Sequence, residues 1–353
     1  MKRREFSRAL AALTTGALSP AGAAIETASG SITDVQGVKV GHFTESRRPT
    51  GCTVLLFEKG ATAAVDVRGG SPGTRDTDLL NPVNTVQQVQ AILLAGGSAF
   101  GLAAASGAMR YLEEHRLGYP MGRDVVVPIV PGAILYDLEI GDAKIRPTEE
   151  SGYKACQAAT SQRVAEGNVG AGAGATIGKM FGMKQAMKSG LGSSSFHVGN
   201  TGIVVGAIVA VNAVGDVVDP KTGKIIAGAR KPDGSGFVDS MARIREGYSV
   251  RLDAAKNTTI GVVATNVALD KPQATKVAQM AHDGLARTIY PVHTPSDGDT
   301  IFAVATGVIP ARAYHGAIGA LAAEAMAQAV LRAVMSARGI AGLPSYSEMR
   351  SSR

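Results

Sequence analysis

The sequence predicts an α+β fold, a layered sandwich in which helices cover the outer faces of stacked β-sheets. Short Val- and Ile-rich runs alternate with glycine-containing turns, as in a protein with many short strands. Their spacing is not the regular strand–helix–strand repeat of a doubly wound parallel sheet. A long antiparallel-looking run at 203–218 precedes a late pair of helices, which favours separate layers of strands and helices.

Six strands and three helices are predicted in order along the chain. The strand-like runs are bounded by Gly, Pro, Asn or Asp and cover 53–57, 91–95, 125–130, 202–214, 259–264 and 301–306. The helical patterns cover 99–115, 272–289 and 314–337. The last helix is alanine-rich and apolar nearly all round, so we expect it to be buried against a sheet or a neighbouring subunit. No linker divides the chain, and we expect one domain over about residues 30–345.

Residues 1–23 have the composition of an export signal. Lys2, Arg3, Arg4 and Arg8 precede a weakly apolar stretch, which ends in small residues at 21–24. The Arg3-Arg4 pair resembles a twin-arginine signal, which delivers folded proteins across the bacterial inner membrane. A basic N-terminal tail is the alternative. The signal predicts a periplasmic or secreted protein whose mature chain is 24–353.

The composition fits a globular protein and gives little support for a nucleic-acid or membrane partner. Of 353 residues, 45% are hydrophobic and 18% are charged, enough for a sizeable core. The first 23 residues supply three of the seven net positive charges, so the rest of the chain carries +4. It has no Lys/Arg runs and no Trp, so nucleic-acid binding is not expected. No unbroken apolar stretch is long enough to span a membrane, so none is expected after export.

Two cysteines, Cys52 and Cys156, lie far apart in sequence. Cys52 lies in the apolar run CTVLLF and Cys156 in YKACQAA, where both resemble small buried hydrophobic residues, so we expect two buried free thiols. A disulfide between them is the alternative in an exported protein.

Three familiar site motifs are incomplete. Gly178-Lys179 suggests a phosphate-binding loop, but Ala173 replaces the required first glycine and Met180 replaces Ser/Thr. A dinucleotide-binding loop follows a buried strand, but the segment before Gly170 and Gly172 does not have the pattern of one. Ser98 lies between a strand and a helix, but Phe100 replaces the second glycine of a nucleophile elbow. No cofactor is therefore expected.

His293, Asp297 and Asp299, in HTPSDGDT, are the strongest metal-ligand candidates. This segment has only one His, and no second His stands at ligand spacing. No metal is expected, and spacing alone predicts a solvated turn before the strand at 301–306.

Asn257 and Thr258 stand immediately before a strand-like apolar run. The hydroxyl of a residue after Asn can attack the preceding carbonyl, and water can then cleave the resulting ester. The freed Thr258 would carry a hydroxyl and an α-amine whose ordinary pKa is about 8, so nucleophile and base would lie on one residue. An Asn-Thr pair is common, so this chemistry depends on its surroundings.

Eight segments together resemble the L-aminopeptidase/D-esterase family, which includes β-aminopeptidases and nylon-oligomer hydrolases. In order they are TGCTVLL, AVDVRGGSPGTRDTDLL, AILLAGGSAFGL, VPIVPGAILYDL, GNVGAGAGATIGK, VNAVGDVVD, NTTIGVVATNV and HTPSDGDTIFAV. The resemblance implies a four-layer α/β/β/α sandwich that cleaves itself between Asn257 and Thr258. The products would be an α chain (24–257) and a β chain (258–353), assembled as a tetramer of αβ units.

The resemblance also assigns roles to individual residues. Thr258 matches the nucleophile and Asn257 the residue whose carbonyl it attacks. The other matching positions would stabilise the oxyanion or orient the nucleophile and its amine: Asn212 as oxyanion donor, Tyr136 as the active-site tyrosine, Lys179 near the nucleophile, and Asp297 and Asp299 as the orienting pair.

The chain departs from the aminopeptidase pattern in ways that affect its substrate. Many aminopeptidase members carry Ser as nucleophile and Ser/Glu at the positions of Asp297 and Asp299, so this chain is more similar to the nylon-hydrolase branch. No acid precedes Tyr136 to hold a substrate amine, although Asp137 and Glu139 follow it. We therefore expect an amidase or aminopeptidase acting on a small peptide or amide. The alternatives are an acyl transferase like the ornithine acetyltransferases, and a non-catalytic binding protein on the same fold.

Overall fold

The computed structural model describes residues 30–248, 256–309, 313–340 and 342–351. The expected export signal, residues 1–23, lies outside these ranges. In chain order the strands are β1 (Lys39–Thr44), β2 (Gly51–Val67), β3 (Thr74–Arg75), β4 (Gln88–Ala95), β5 (Tyr119–Gly122), β6 (Val125–Val127), β7 (Gly132–Ile134), β8 (Thr176–Ile177), β9 (Met187–Lys188), β10 (Leu191–His197), β11 (Val204–Asn212), β12 (Asp216–Val218), β13 (Ile225–Ala227), β14 (Thr258–Val267), β15 (Ile289–Tyr290) and β16 (Thr300–Ile309). The α-helices are α1 (Ala104–Glu114), α2 (Glu149–Gln157), α3 (Ser240–Arg245), α4 (Lys271–Thr288), α5 (His315–Met335) and α6 (Tyr346–Ser351).

The main sheet has nine strands in the order β10-β11-β14-β16-β2-β4-β7-β3, with β1 paired to β2. Its pairings are antiparallel except β14 with β16 and β4 with β7. The 17-residue strand β2 joins the two halves of this sheet. Its first part pairs with β1 and β4, and its last part pairs with β16. The pairing of β2 with β4 shifts register between Leu56 and Ala61 of β2.

Alternating side chains on these strands divide the core into three layers. On one half, Leu55 and Ile92 face Ile208, Ile260 and Phe302 of the other half across a shared apolar cluster. The opposite faces pack on α4 and α5 in one half, and on α1 and α2 in the other. The fold is therefore the predicted α/β/β/α sandwich, in which the two β-layers belong to one hydrogen-bonded sheet folded over along β2.

Helix α5 is buried, as its composition predicts. By length and composition it is apolar enough to cross a membrane, but 78% of its apolar 18-residue stretch is buried inside the protein. Its small residues allow close packing: Ser194 of β10 donates a hydrogen bond to the carbonyl of Ala325, and Gly192 lies against Ala329 and Ala333. This burial is typical of the core helix of a globular protein.

Two predicted elements differ from the structure. The helix predicted from 99 begins as a 3-10 turn at Ser98–Ala103 and becomes α-helical only at Ala104. Ser98, the first residue of the turn, and Gly97 before it both have a positive φ. The strand predicted at 125–130 ends at Val127 in an exposed hairpin, because Pro128 and the later Pro131 have no N–H to continue a ladder.

The strand predicted at 53–57 continues to Val67 in β2, and the ends of the remaining elements shift by one to three residues. The prediction of two buried free thiols at Cys52 and Cys156 is confirmed. Burial raises the pKa of Cys156 to about 12 and that of Cys52 still further.

Candidate active site

Thr258 and Asn212 are cross-strand partners at the ends of β14 and β11. Directly opposed residues of an antiparallel pair place their side chains on the same face of the sheet. Here that face is the one that carries Ile260 and Ala210 into the cluster between the two β-layers. Thr258 is 2% exposed and Asn212 is fully buried, so a reaction at this edge would be shielded from bulk water.

The Asn257 carbonyl is held by two donors. The Thr258 hydroxyl donates to this oxygen, and the Gly298 N–H donates to it at 2.8 Å. The loop before β16 runs parallel to the chain here and forms a bridge between Asn257 and Asp297. A Cβ on Gly298 would lie 2.7 Å from Thr258 Oγ1, so only glycine leaves room for the hydroxyl. The Thr258 hydroxyl, the Asn257 carbonyl and the Gly298 N–H thus meet at one peptide bond.

Lys179 donates three hydrogen bonds beside this bond. Its Nζ lies 3.0 Å from the Asn212 carbonyl oxygen, 2.9 Å from Asn212 Oδ1 and 3.0 Å from the Lys256 carbonyl oxygen. Burial lowers the pKa of Lys179 to about 7, although the carboxylates of Asp297 and Glu139 oppose this shift. At neutral pH the amine therefore exists in both protonation states.

The amide of Asn212 has a fixed orientation. Its Oδ1 accepts from the Thr176 N–H at 3.0 Å, from the Thr176 hydroxyl at 3.2 Å and from Lys179. Its Nδ2 donates to the Tyr136 carbonyl at 3.0 Å and to the Lys256 carbonyl at 3.4 Å. Because the acceptor side is fully used, the orientation of the amide is fixed, and its amino group faces the carbonyls of Tyr136 and Lys256.

The glycine-rich segment that supplies Thr176 and Lys179 is buried rather than open to a nucleotide. Gly178 has a φ of 68°, and the following turn places Lys179 N 3.0 Å from the Val214 carbonyl. Fully buried Lys188 supports the same segment, because its Nζ donates to the carbonyls of Gly172, Ala175 and Ser189. Lys188 belongs to no sequence motif that predicts this role.

The prediction of a solvated turn at Asp297 and Asp299 is wrong, because the two residues are only 2% and 1% exposed. Asp299 Oδ1 accepts from the Thr259 N–H at 2.7 Å, and its Oδ2 from His293 Nδ1 at 2.8 Å and the His293 N–H at 3.1 Å. Asp297 Oδ2 accepts from the Thr294 N–H at 2.8 Å. These donors compensate for the lost water and tie the loop to β14.

The Asp299 carboxylate influences the ionisation of Asp297. Burial, together with the nearby Asp299 carboxylate, raises the pKa of Asp297 to about 6. Hydrogen bonds from Thr294 and the charge of Lys179 act in the opposite direction. Asp297 is therefore a second group beside Thr258 that changes charge near neutral pH.

Tyr136 is half-buried, and its carbonyl is the acceptor that faces Asn212. The next residue, Asp137, forms a fully buried ion pair with Arg48 and accepts from the Thr50 hydroxyl at 2.6 Å and the Gly97 N–H at 2.9 Å. Arg48 also donates to the Asp137 carbonyl. This ion pair fixes the loop that carries Tyr136. The sequence did not predict the pair, because Arg48 and Asp137 are 89 positions apart and no short-range pattern links them.

In the described part of the chain, no three His, Cys, Asp or Glu side chains converge as a metal site requires. His293 and Asp299 meet, but Asp299 is already bonded to main-chain donors of β14 and its own loop. The site is instead a set of protein donors and acceptors around one peptide bond.

Comparisons with known proteins show the family of the chain. The model of peptidase family S58 matches residues 30–346. An uncharacterized aminopeptidase of Mycobacterium leprae (strain TN) is 45% identical, over 90% of this chain and 94% of that protein. A 6-aminohexanoate-oligomer endohydrolase of Kocuria sp. (strain KY2) is 32% identical, over 85% of this chain and 84% of that protein.

Two solved structures share the fold. A Burkholderia sp. β-aminopeptidase superposes with a TM-score of 0.63 at 23% identity, over 89% of both chains. The L-aminopeptidase D-Ala-esterase/amidase of Ochrobactrum anthropi, described as a variant of the Ntn-hydrolase fold, gives a TM-score of 0.66 at 20% identity, over 89% of this chain and 88% of that one. Together with the family match, these likenesses confirm the resemblance seen in the sequence: the chain belongs to peptidase family S58 and is a hydrolase of peptide or other amide bonds.

Proposed function

We propose that the chain cleaves itself between Asn257 and Thr258 and then hydrolyses amides with Thr258 as N-terminal nucleophile. The observation that carries this proposal is the Asn257 carbonyl, which accepts from both the Thr258 hydroxyl and the Gly298 N–H. Attack by Oγ1 on the Asn257 carbonyl carbon would place negative charge on an oxygen that already has a fixed donor. As the bond between the Asn257 carbonyl carbon and the Thr258 nitrogen breaks, that nitrogen gains the proton lost by Oγ1 and becomes the free amine. Water then hydrolyses the ester, which leaves the Asn257 carboxylate and restores the Thr258 hydroxyl.

The same elements support the second reaction. After cleavage, the α-amine of Thr258 takes the hydroxyl proton as Oγ1 attacks the substrate carbonyl, and the leaving amine takes that proton in turn. Asn212 Nδ2 and Lys179 Nζ supply donors for the oxyanion, since both already bond a carbonyl oxygen there. Water hydrolyses the acyl ester on Thr258, which releases the acid and restores the enzyme.

One gel tests self-cleavage. Wild type should give fragments of 257 residues, or fewer after signal removal, and 96 residues. Thr258→Val removes the hydroxyl at nearly constant shape and should stay as one inactive chain. Thr259→Val is the matched control, because the Thr259 hydroxyl has no hydrogen-bond partner among the described residues; it should be cut normally. An uncut wild type that hydrolyses amides would refute the mechanism.

The acyl substrate needs its own test. The aminopeptidase and 6-aminohexanoate-oligomer endohydrolase names of the relatives support a panel of amino-acid p-nitroanilides, β-peptides, D-amino-acid esters and 6-aminohexanoate oligomers. Each should be hydrolysed by the cleaved chain only. Transfer of the acyl group to an added amine in preference to water would instead support an acetyltransferase-like enzyme.

Export and assembly are further proposals. The basic and small residues of 1–23 support export through the twin-arginine route, and N-terminal sequencing of periplasmic protein would test it. A tetramer of αβ units is supported by the family resemblance alone. Light scattering on the purified protein should give four times the mass of one αβ unit, and a monomer mass would exclude it.

A further inference from the structure

His282, on α4, is a polar residue in an apolar part of the core. Its neighbours on the helix, Ala278, Ala281 and Leu285, belong to the cluster of buried side chains beneath α4. His282 is itself fully buried, and its ring Nδ1 has no hydrogen-bond partner among the described residues. Packing alone would favour an apolar side chain here, because an unpartnered buried nitrogen lowers stability. The imidazole therefore has a role that an apolar side chain cannot fill.

The His282 ring donates a hydrogen bond to the end of β2. Its Nε2 lies 2.9 Å from the Asp66 carbonyl oxygen. Since a carbonyl can only accept, Nε2 carries the ring proton. Burial lowers the pKa of His282 to about 4; Arg68 and His293 act in the same direction, and the Asp66 carboxylate opposes them. The ring is therefore a neutral donor at neutral pH, with its proton facing β2.

The segment that follows Asp66 holds the main chain of Asp299. The N–H of Arg68 donates to the Asp299 carbonyl at 3.0 Å, and the N–H of Gly69 donates to the same oxygen at 3.3 Å. A side chain of α4 thus fixes the carbonyl of Asp66, and the next residues of that segment fix Asp299. Two hydrogen-bonded steps connect the helix to the loop beside the scissile bond.

The carboxylate of Asp299 is held from its other side by His293. His293 Nδ1 donates to Asp299 Oδ2 at 2.8 Å, and Asp299 Oδ1 accepts from the Thr259 N–H at 2.7 Å. The rings of His282 and His293 pack edge to face, with centroids 4.8 Å apart and planes at 73°. His282 therefore contacts both segments that hold Asp299, one through a hydrogen bond and the other through ring packing.

We propose that His282 is a positioning residue for Thr258. Its hydrogen bond to the Asp66 carbonyl fixes the end of β2, and this segment keeps the Asp299 carboxylate against the N–H of Thr259, next to the nucleophile. The inference rests on the proposed function, because it requires Thr258 to be the attacking group. It adds a residue that acts through Asp66 and Asp299 rather than on the scissile bond.

Two substitutions separate the hydrogen bond from the packing of the ring. His282→Phe keeps a buried ring beside His293 and removes the donor, so the end of β2 loosens and the precursor should be cut about tenfold more slowly. In His282→Gln the side-chain amide can again donate to the Asp66 carbonyl, and cleavage should recover to within about threefold of wild type. The rate of appearance of the 96-residue fragment gives both values.

The pH profile of cleavage provides a readout that a loss of stability alone would not change. Burial and then the Asp299 carboxylate raise the pKa of Asp297 to about 6, while hydrogen bonds from Thr294 and the charge of Lys179 lower it. If Asp299 moves away in His282→Phe, its effect on Asp297 weakens. The acid limb of the profile should then shift to lower pH by about half a unit. In His282→Gln it should stay at the wild-type position.

Lys271→Met is the matched control on the same helix. Lys271 is also buried, and its Nζ donates to main-chain carbonyls of a different segment, those of Leu79, Asn84 and Val86, at 3.1, 2.9 and 3.0 Å. The substitution should lower the melting temperature but leave the cleavage rate and the acid limb as in wild type. Slowing of Lys271→Met to the level of His282→Phe would overturn the specific role of His282.

His282→Phe that is cut at the wild-type rate with an unshifted acid limb would overturn the inference while leaving self-cleavage intact. Equal slowing of His282→Phe and His282→Gln would overturn it as well, because the donor would then not be the cause. If wild type is not cut at all, the proposed function fails, and the inference fails with it.

A measurement on the uncut Thr258→Val chain covers the case in which His282→Phe does not fold. Imidazole ¹⁵N NMR should show His282 as a neutral ring with its proton on Nε2 from about pH 5 to 8. A proton on Nδ1 would overturn the inference, because the hydrogen bond to the Asp66 carbonyl could not form.

Discussion

The N–H of Gly298 donates to the Asn257 carbonyl at 2.8 Å, across two segments that are 41 residues apart in sequence. The bond is short and its donor is a main-chain group, so no side-chain movement is needed to form it. Since this oxygen would become the oxyanion during self-cleavage, Gly298 has the position of a preformed oxyanion donor.

Gly298→Ala should slow self-cleavage at least about tenfold. The new Cβ would lie 2.7 Å from Thr258 Oγ1 and 2.8 Å from the Ser71 carbonyl, so the loop or the hydroxyl must move away from the attack geometry. The rate of appearance of the 96-residue fragment measures this. Gly202→Ala is a control, because its φ of 76° makes alanine strained but the space around it is open. It should lose stability and still be cut at the normal rate; normal cutting of Gly298→Ala would contradict the assigned role.

Self-cleavage should accelerate as pH rises from about 5 to 8. The Thr258 hydroxyl must lose its proton, and the two titrating groups beside it, Asp297 and Lys179, have pKa values of about 6 and about 7. Each is a proton acceptor only above its own pKa, so the rate must rise across this window. Precursor made at pH 5 and shifted to a range of pH values would give the profile.

Two variants separate these contributions. Asp297→Asn leaves Lys179 as the titrating group, and the midpoint should follow the Lys179 pKa, which falls below about 7 because the carboxylate that raises it is gone. Lys179→Met leaves Asp297, with a midpoint near 6 or slightly higher, because the positive charge that lowers the Asp297 pKa is gone. A profile that is flat from pH 5 to 8 in wild type would exclude both groups as proton acceptors.

The layers of the fold could be predicted from the sequence because burial repeats at short range. β11, β14 and β16 are short, nearly continuous apolar runs, as expected of strands buried on both faces, and the composition of α5 indicates a buried helix. The full length of β2 could not be predicted, since Glu58, Lys59 and Gly60 interrupt the apolar pattern where the strand passes from one half of the sheet to the other. The charges at that point are exposed, and neither half alone reveals the continuous strand.

The site was predictable only in part, for a similar reason. Asn257–Thr258 has its chemistry in two adjacent residues, and the family resemblance supplied the residues around them. The burial of Asp299 depends on a donor 40 residues away in β14, and the orientation of Asn212 depends on Thr176, 36 residues away. Local composition contains no information about such partners, so spacing alone predicted a solvated turn for the acids.

Lys188 should make the folded protein less stable near neutral pH than at alkaline pH. Burial lowers its pKa to about 7 from the ordinary 10.5, so between these values the unfolded chain binds more protons than the folded one. Stability must then rise with pH through this window, by about 2 kcal/mol from pH 7.5 to 9.5 for this group alone. Urea unfolding of wild type and Lys188→Met at both pH values isolates the effect, because other groups contribute equally to the two proteins.

Lys276→Met is the control for Lys188. Lys276 is exposed on α4, so its ammonium is hydrated in both the folded and the unfolded chain. Its removal should leave the pH dependence of the unfolding free energy as in wild type. Identical pH dependence in wild type and Lys188→Met would show that the buried amine does not lose its proton in this range.

His293 should be needed for self-cleavage through its hold on Asp299 rather than through contact with the scissile bond. Its ring Nδ1 and its backbone N–H both donate to Asp299 Oδ2, while Asp299 Oδ1 accepts from the Thr259 N–H next to the nucleophile. The residue also has a φ of 57°, a conformation that costs most residues energy and that Asn and Gly tolerate. Asn can keep both the backbone conformation and a side-chain donor, whereas Gly keeps only the conformation.

Cleavage rates should therefore rank wild type and His293→Asn above His293→Gly and His293→Ala, by about tenfold. Thermal melting should rank His293→Gly above His293→Ala, because only alanine retains the strain. If His293→Gly were cut as fast as wild type, backbone conformation alone would account for the residue, and the hydrogen bond to Asp299 would have no part in positioning Thr258.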